Sequence, residues 1–129
     1  MKYILLMSGS KPGVDSYLAW SQGDREAHMA VLQSIGRELT ASGEFVAIQR
    51  LAAPHEAKVV RGESGGLPVT DGVFPESKEF LAGFWIVDVA SPDRAYAIAA
   101  RISMCPGPGG APVYMPIEVR PVGSPPTTK

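Results

Sequence analysis

The run Phe84-Trp85-Ile86-Val87 is apolar at every position, and in a β-strand successive side chains point to opposite faces of the sheet. Phe45-Val46-Ala47-Ile48 repeats the pattern, with Phe45 and Ala47 opposing Val46 and Ile48. A sheet wet on one side would alternate apolar with polar residues. Strands of this kind need cover on both faces. A chain of 129 residues is of ordinary single-domain size and leaves no room for a second independent core.

The remaining elements fall into two similar halves. Tyr3 to Ser8 is a short apolar run ended by Gly9, Ser10, Pro12 and Gly13, which predicts a buried strand. From Asp24 the period changes: His28, Leu32, Ile35 and Leu39 form one helical stripe, with Arg25, Glu26, Arg37 and Glu38 off that line. Ser21 or Asp24 can cap its start, and Gly43 supplies a left-handed stop. Phe45 to Leu51 predicts a second strand, and Ala57 to Asp71 a hairpin turning at Gly62, Gly65 and Gly66. Phe84 to Val89 follows as the strongest strand. Ser91-Pro92-Asp93 then opens a helix, with Ser as cap, Pro in the first turn and Asp complementing the dipole. Ala95, Ile98 and Ile102 mark its buried face. Met115, Ile117 and Val119 alternate along a last strand, and residues 123 to 129 form a polar, Pro-rich tail after a domain of residues 1 to 122.

This order, β-α-β, hairpin, β-α-β, predicts an α+β fold: a ferredoxin-like antiparallel sheet with two helices on one face. Two helices cover only one side. The other would expose a contiguous apolar patch of a size that soluble monomers rarely carry. Packing of sheet on sheet between two chains resolves this, so a homodimer is expected.

Composition excludes several partners. A net charge of −1 and the lack of any Lys/Arg-rich run argue against nucleic acid and against an anionic membrane surface. Only five apolar residues, Tyr3 to Met7, separate Lys2 from Ser8, too few for a signal peptide or a spanning helix. A cytoplasmic location is expected. The single cysteine, Cys105, cannot form an intramolecular disulfide, in keeping with a reducing compartment. His28, His55 and Cys105 show no metal-ligand spacing, so neither metal nor cofactor is expected. The glycine-rich stretches at 62–66 and 107–110 lack the Gly-Lys-Ser/Thr ending of a phosphate loop.

One segment identifies a relationship. Thr70-Asp71-Gly72-Val73-Phe74-Pro75-Glu76-Ser77-Lys78-Glu79 resembles the DGPF signature of the YCII-related family. Gly83-Phe84-Trp85 and Glu118-Val119-Arg120-Pro121-Val122 match that family's Gly-aromatic strand and closing run. Val73 stands where the family usually has Pro, which removes one constraint on the turn. Arg25-Glu26-Ala27-His28-Met29-Ala30-Val31-Leu32 is similar to a family helix whose His pairs with an Asp in a proposed active site. No motif places that Asp here, and Asp71 or Asp88 qualifies only where the fold brings it close. The resemblance implies a dimeric α+β barrel, a superfamily that holds muconolactone isomerase-like enzymes and monooxygenases. A shared fold does not transfer a reaction.

His28 and Asp71 are therefore the candidate catalytic pair, with isomerase-like proton transfer as the expected chemistry. Arg61, Lys78, Glu118 and Arg120 are the expected contacts to a small anionic ligand, Arg being suited to bidentate binding of a carboxylate or phosphate. Each has a plainer reading. His28 can be a half-buried ring bonded to backbone, Asp71-Gly72 a tight turn, and Glu118 with Arg120 a structural ion pair. The alternative function is a non-catalytic dimeric ligand-binding module or regulatory partner.

Overall fold

A computed structural model describes residues 1–66, 68–71 and 79–123. Four strands form the main sheet: β1 (Lys2–Gly9), β2 (Phe45–Arg50), β5 (Phe80–Asp88) and β6 (Ile117–Pro121). Their order is β2-β5-β1-β6, and every neighbouring pair is antiparallel. With the crossover helices α2 (Gln22–Ser42) and α3 (Pro92–Ser103), this is the α+β, ferredoxin-like arrangement that the element order predicts. The sheet of this single chain is open, not a closed barrel. The hairpin is β3 (Lys58–Val60) with β4 (Val69–Asp71), a two-stranded sheet of its own.

The core sits between the sheet and α2 and α3. Tyr3 and Leu5 of β1 and Trp85 and Val87 of β5 meet Ile35 and Leu39 of α2 and Ala95, Ile98 and Ile102 of α3. The predicted stripe on α2 is borne out: His28, Ile35 and Leu39 are buried and Leu32 packs against the core. The caps act as their residue types dictate. Ser21 Oγ accepts from the Asp24 N–H at 3.1 Å, Ser91 Oγ from the Arg94 N–H at 3.3 Å, and Gly43 ends α2 at φ 78°.

The sheet's opposite face carries Ile4, Leu6, Phe84 and Ile86, each half-buried and, among the described residues, with no helix over it. A bulge between Phe45 and Ala47 shifts the phase of β2: Ala47 stands opposite Ile86, and Ile48 opposite Trp85. Apolar residues on both faces are thus present on β1 and β5, while on β2 the bulge moves Ile48 to the helix side.

One helix departs from expectation. Lys11–Ala19 forms α1 where the sequence suggests only a strand-ending turn. Pro12 is tolerated because a first-turn N–H has no helical partner to lose, and the Gly13 N–H is capped by Ser10 Oγ at 3.2 Å.

Candidate functional site

His28 gains its surroundings from α1. The ring lies edge-on to Trp20, with centroids 5.5 Å apart, and to Tyr17 at 6.2 Å; Tyr17 and Trp20 themselves stand 5.0 Å apart. The α1–α2 turn is held by Arg25, whose Nη1 donates to the carbonyls of Leu18 (3.1 Å) and Trp20 (2.7 Å) at the end of α1. On the other side His28 Nδ1 lies 3.0 Å from the carbonyl of Pro106. A carbonyl oxygen only accepts, so Nδ1 carries the proton and Nε2 of the neutral ring presents a lone pair. Among the described residues Nε2 has no partner, while the one enclosed side-chain polar atom left unbonded is Trp85 Nε1. Nε2 therefore keeps access to solvent. Tyr17 also carries a cation: the Arg50 guanidinium, from the last residue of β2, lies over its ring at 5.5 Å.

The candidate carboxylates fall elsewhere. Asp88 lies at the far end of the sheet and accepts from the Met1 ammonium at 2.9 Å, with its N–H bonded to the Glu44 carbonyl just past the C-terminus of α2. His28 sits some fifteen residues earlier on that helix, about 20 Å away along its axis. Asp88 is not its partner. The backbone of Asp71 closes β4 opposite Lys58; its side chain, together with Lys78 and residues 72–78 of the motif, lies outside the described residues. Arg61 follows β3 and is exposed. Glu118 and Arg120 stand in register with Leu6 and Ile4 on the helix-free face, exposed in this chain, so the sheet separates them from His28. Cys105 is buried, and burial pushes its thiol up despite the opposing charge of Arg101. Among the described residues no group of three His, Cys, Asp or Glu side chains could hold a metal.

Sequence reasoning missed Tyr17, Trp20 and Arg50 as neighbours of His28. Ser10 followed by Pro12 is the same kind of start signal as Ser91-Pro92 and would have revealed α1. A concavity of about 350 Å³ lies between α3 and β6, lined by Tyr96, Ala99, Met115, Ile117 and Val119 among others.

The family model of the YCII-related domain matches residues 1–110. This chain belongs to the YCII-related family. An uncharacterised protein of Rhizobium meliloti (strain 1021) is 35% identical over 85 residues, covering 66% of this chain and 68% of that relative. The family match spans His28, α1, both crossover helices and the Gly-aromatic strand, and stops short of β6. Among the described residues no helix is long and apolar enough to cross a membrane.

Proposed function

We propose that this YCII-related protein is a small-molecule enzyme in which His28 Nε2 accepts a proton from its substrate, an isomerase-like proton transfer. The observation that carries this is the bond from Nδ1 to the Pro106 carbonyl. It fixes the tautomer and aims the basic nitrogen away from backbone, as a general base requires. Tyr17 and Trp20 supply apolar walls, and Arg50, with no acid partner among the described residues, supplies a cation for a carboxylate on the substrate. The working unit is a homodimer joined through the helix-free sheet face of Ile4, Leu6, Phe84 and Ile86.

Solvent-deuterium exchange, followed by proton NMR on small carbonyl acids and unsaturated lactones, tests the chemistry. Asn at position 28 can still donate toward Pro106 through its side-chain amide but has nothing in place of Nε2. Loss of exchange in His28→Asn, with folding intact, is the expected result; equal exchange in both proteins sinks the reading. A second reading, binding without catalysis, is favoured by one observation: the described partner of Nδ1 is a carbonyl, not a carboxylate that would stabilise imidazolium. Binding of such a probe that persists without any exchange in the wild type is its signature.

A further inference from the structure

The outer edge of β6 is one of the two edges, with that of β2, that the four-stranded sheet leaves unpartnered among the described residues, and its chemistry is self-complementary. Val122 N–H donates to the Lys2 carbonyl at 2.9 Å, and Lys2 is the residue opposite Val122 in the register that pairs Tyr3 with Pro121. Antiparallel pairs alternate between bonded and non-bonded. Glu118 and Arg120 therefore spend their backbone groups on β1. Ile117 and Val119 turn their N–H and C=O groups to the free edge, and Pro121 turns only its C=O.

We infer that β6 pairs antiparallel with β6 of a second copy about a twofold axis through Val119, its charges meeting across the seam. Val119 N–H and C=O then bond to those of Val119 in the other copy, and each Ile117 N–H meets a Pro121 carbonyl, the one residue that needs no acceptor in return. Glu118 falls opposite Arg120 of the second copy, and Arg120 opposite its Glu118. Both contacts are non-bonded pairs, where side chains approach closest and opposite charges stabilise. Any other antiparallel register offers fewer of these matches: a shift of the centre to Glu118 or Arg120 sets like charges against each other.

The groove beside the strand fits the same partner. Directly opposed residues of an antiparallel pair share a face, so α3 of both copies lies on one side of the joined sheet. The open concavity along Ile117 and Val119, with exposed Tyr96 at its rim, then faces its symmetry mate and is covered by it. This contact uses the edge of the sheet and stands apart from the face-to-face contact proposed above.

Charge reversal with restoration tests it. In Glu118→Arg or Arg120→Glu, like charges oppose across the seam; in the double variant Glu118→Arg/Arg120→Glu the order is inverted but again complementary. Both side chains are exposed in the single chain, so thermal melts by circular dichroism should show all three variants folded as the wild type. Sedimentation equilibrium at low salt is expected to show each single variant at half the wild-type mass or with at least tenfold weaker association, and the double variant back at the wild-type value. Single variants that associate like the wild type, or a double variant no better than the singles, overturn the inference. Glu118 and Arg120 also border the helix-free face, so Val119→Pro separates the two contacts: it removes the N–H that bonds at the twofold and leaves that face unchanged. Weaker association of Val119→Pro is expected and wild-type association overturns the inference, while Leu6→Glu tests the face contact.

Discussion

His28 shows how a residue can be buried for structural reasons and still keep a chemically useful atom. One nitrogen satisfies the Pro106 carbonyl, two aromatic rings enclose the ring edge, and the other nitrogen is left as an acceptor. Two substitutions separate these roles. His28→Ala removes the donor and opens a cavity beside Trp20, which should cost about 2–4 kcal/mol in urea melts; His28→Asn should recover a good part of that loss. Equal melts for the two variants would show that the Pro106 bond contributes nothing. Glu44 and Arg94 supply a pH-dependent counterpart. Arg94 Nε and Nη2 each donate to a Glu44 oxygen at 2.9 Å, and together with Ser42 they hold the Glu44 carboxyl below its ordinary value of 4.5. Because the folded value is the lower one, the stabilisation is present above about pH 4.5 and fades as pH falls through the folded value. Arg94 is well exposed, so solvent screening limits the contribution to about 1 kcal/mol or less. Glu44→Gln should therefore melt earlier than wild type near neutral pH and converge with it in acid; a gap that persists in acid would place the effect in packing rather than charge.

At the scale of elements, the core-forming pieces were legible because burial imposes a period. The α2 stripe, the Ser91-Pro92 start of α3 and the Phe84–Val87 strand apolar on both faces needed only spacing and capping chemistry to find. What escaped had no buried stripe to announce it. α1 has no fully buried residue, and its Gly9, Pro12 and Gly13 read as breakers until the capping geometry of Ser10 is seen. The aromatic surroundings of His28 escaped with it, since Tyr17 and Trp20 reach the ring only once α1 turns back on α2. The bulge in β2 was likewise hidden, because Val46 and Ile48 are apolar in either phase. Gly83 can now be given its physical reason. It lies between β1 and β2, where an added Cβ would sit 2.8 Å from the Gln49 carbonyl oxygen and 2.9 Å from Met7 Cε. The carbonyl belongs to the neighbouring strand and cannot swing aside. Gly83→Ala should thus destabilise by about 1–3 kcal/mol in denaturant melts, whereas Gly36→Ala on α2, where nothing lies within 4 Å, should stabilise by up to about 1 kcal/mol.

The whole molecule is governed by a mismatch between its sheet and its helices. α2 and α3 cover the face of Tyr3, Leu5, Trp85 and Val87, while among the described residues Ile4, Leu6, Phe84 and Ile86 have no covering helix. Leaving four large apolar side chains contiguous in water forfeits hydrophobic stabilisation of about 25 cal/mol for each Å² that a partner would bury. Glu118 and Arg120 lie beside that patch, in register with Leu6 and Ile4, so cover over the patch would also desolvate them and require them to be paired. A face-to-face dimer is the expected state, and light scattering at micromolar concentration should give at least twice the 13.7 kDa chain mass. Leu6→Glu places a charge in the middle of the patch. In a dimer that charge would be buried, at a cost of several kcal/mol, and the mass should fall; in an isolated chain it would be half-exposed opposite Glu118, at the smaller cost of a surface like-charge pair. A wild type that scatters as a stable monomer, or a Leu6→Glu variant that keeps the wild-type mass, would show that this face is not the contact, and the half-burial of Ile4, Leu6, Phe84 and Ile86 within one chain would be all the cover they receive.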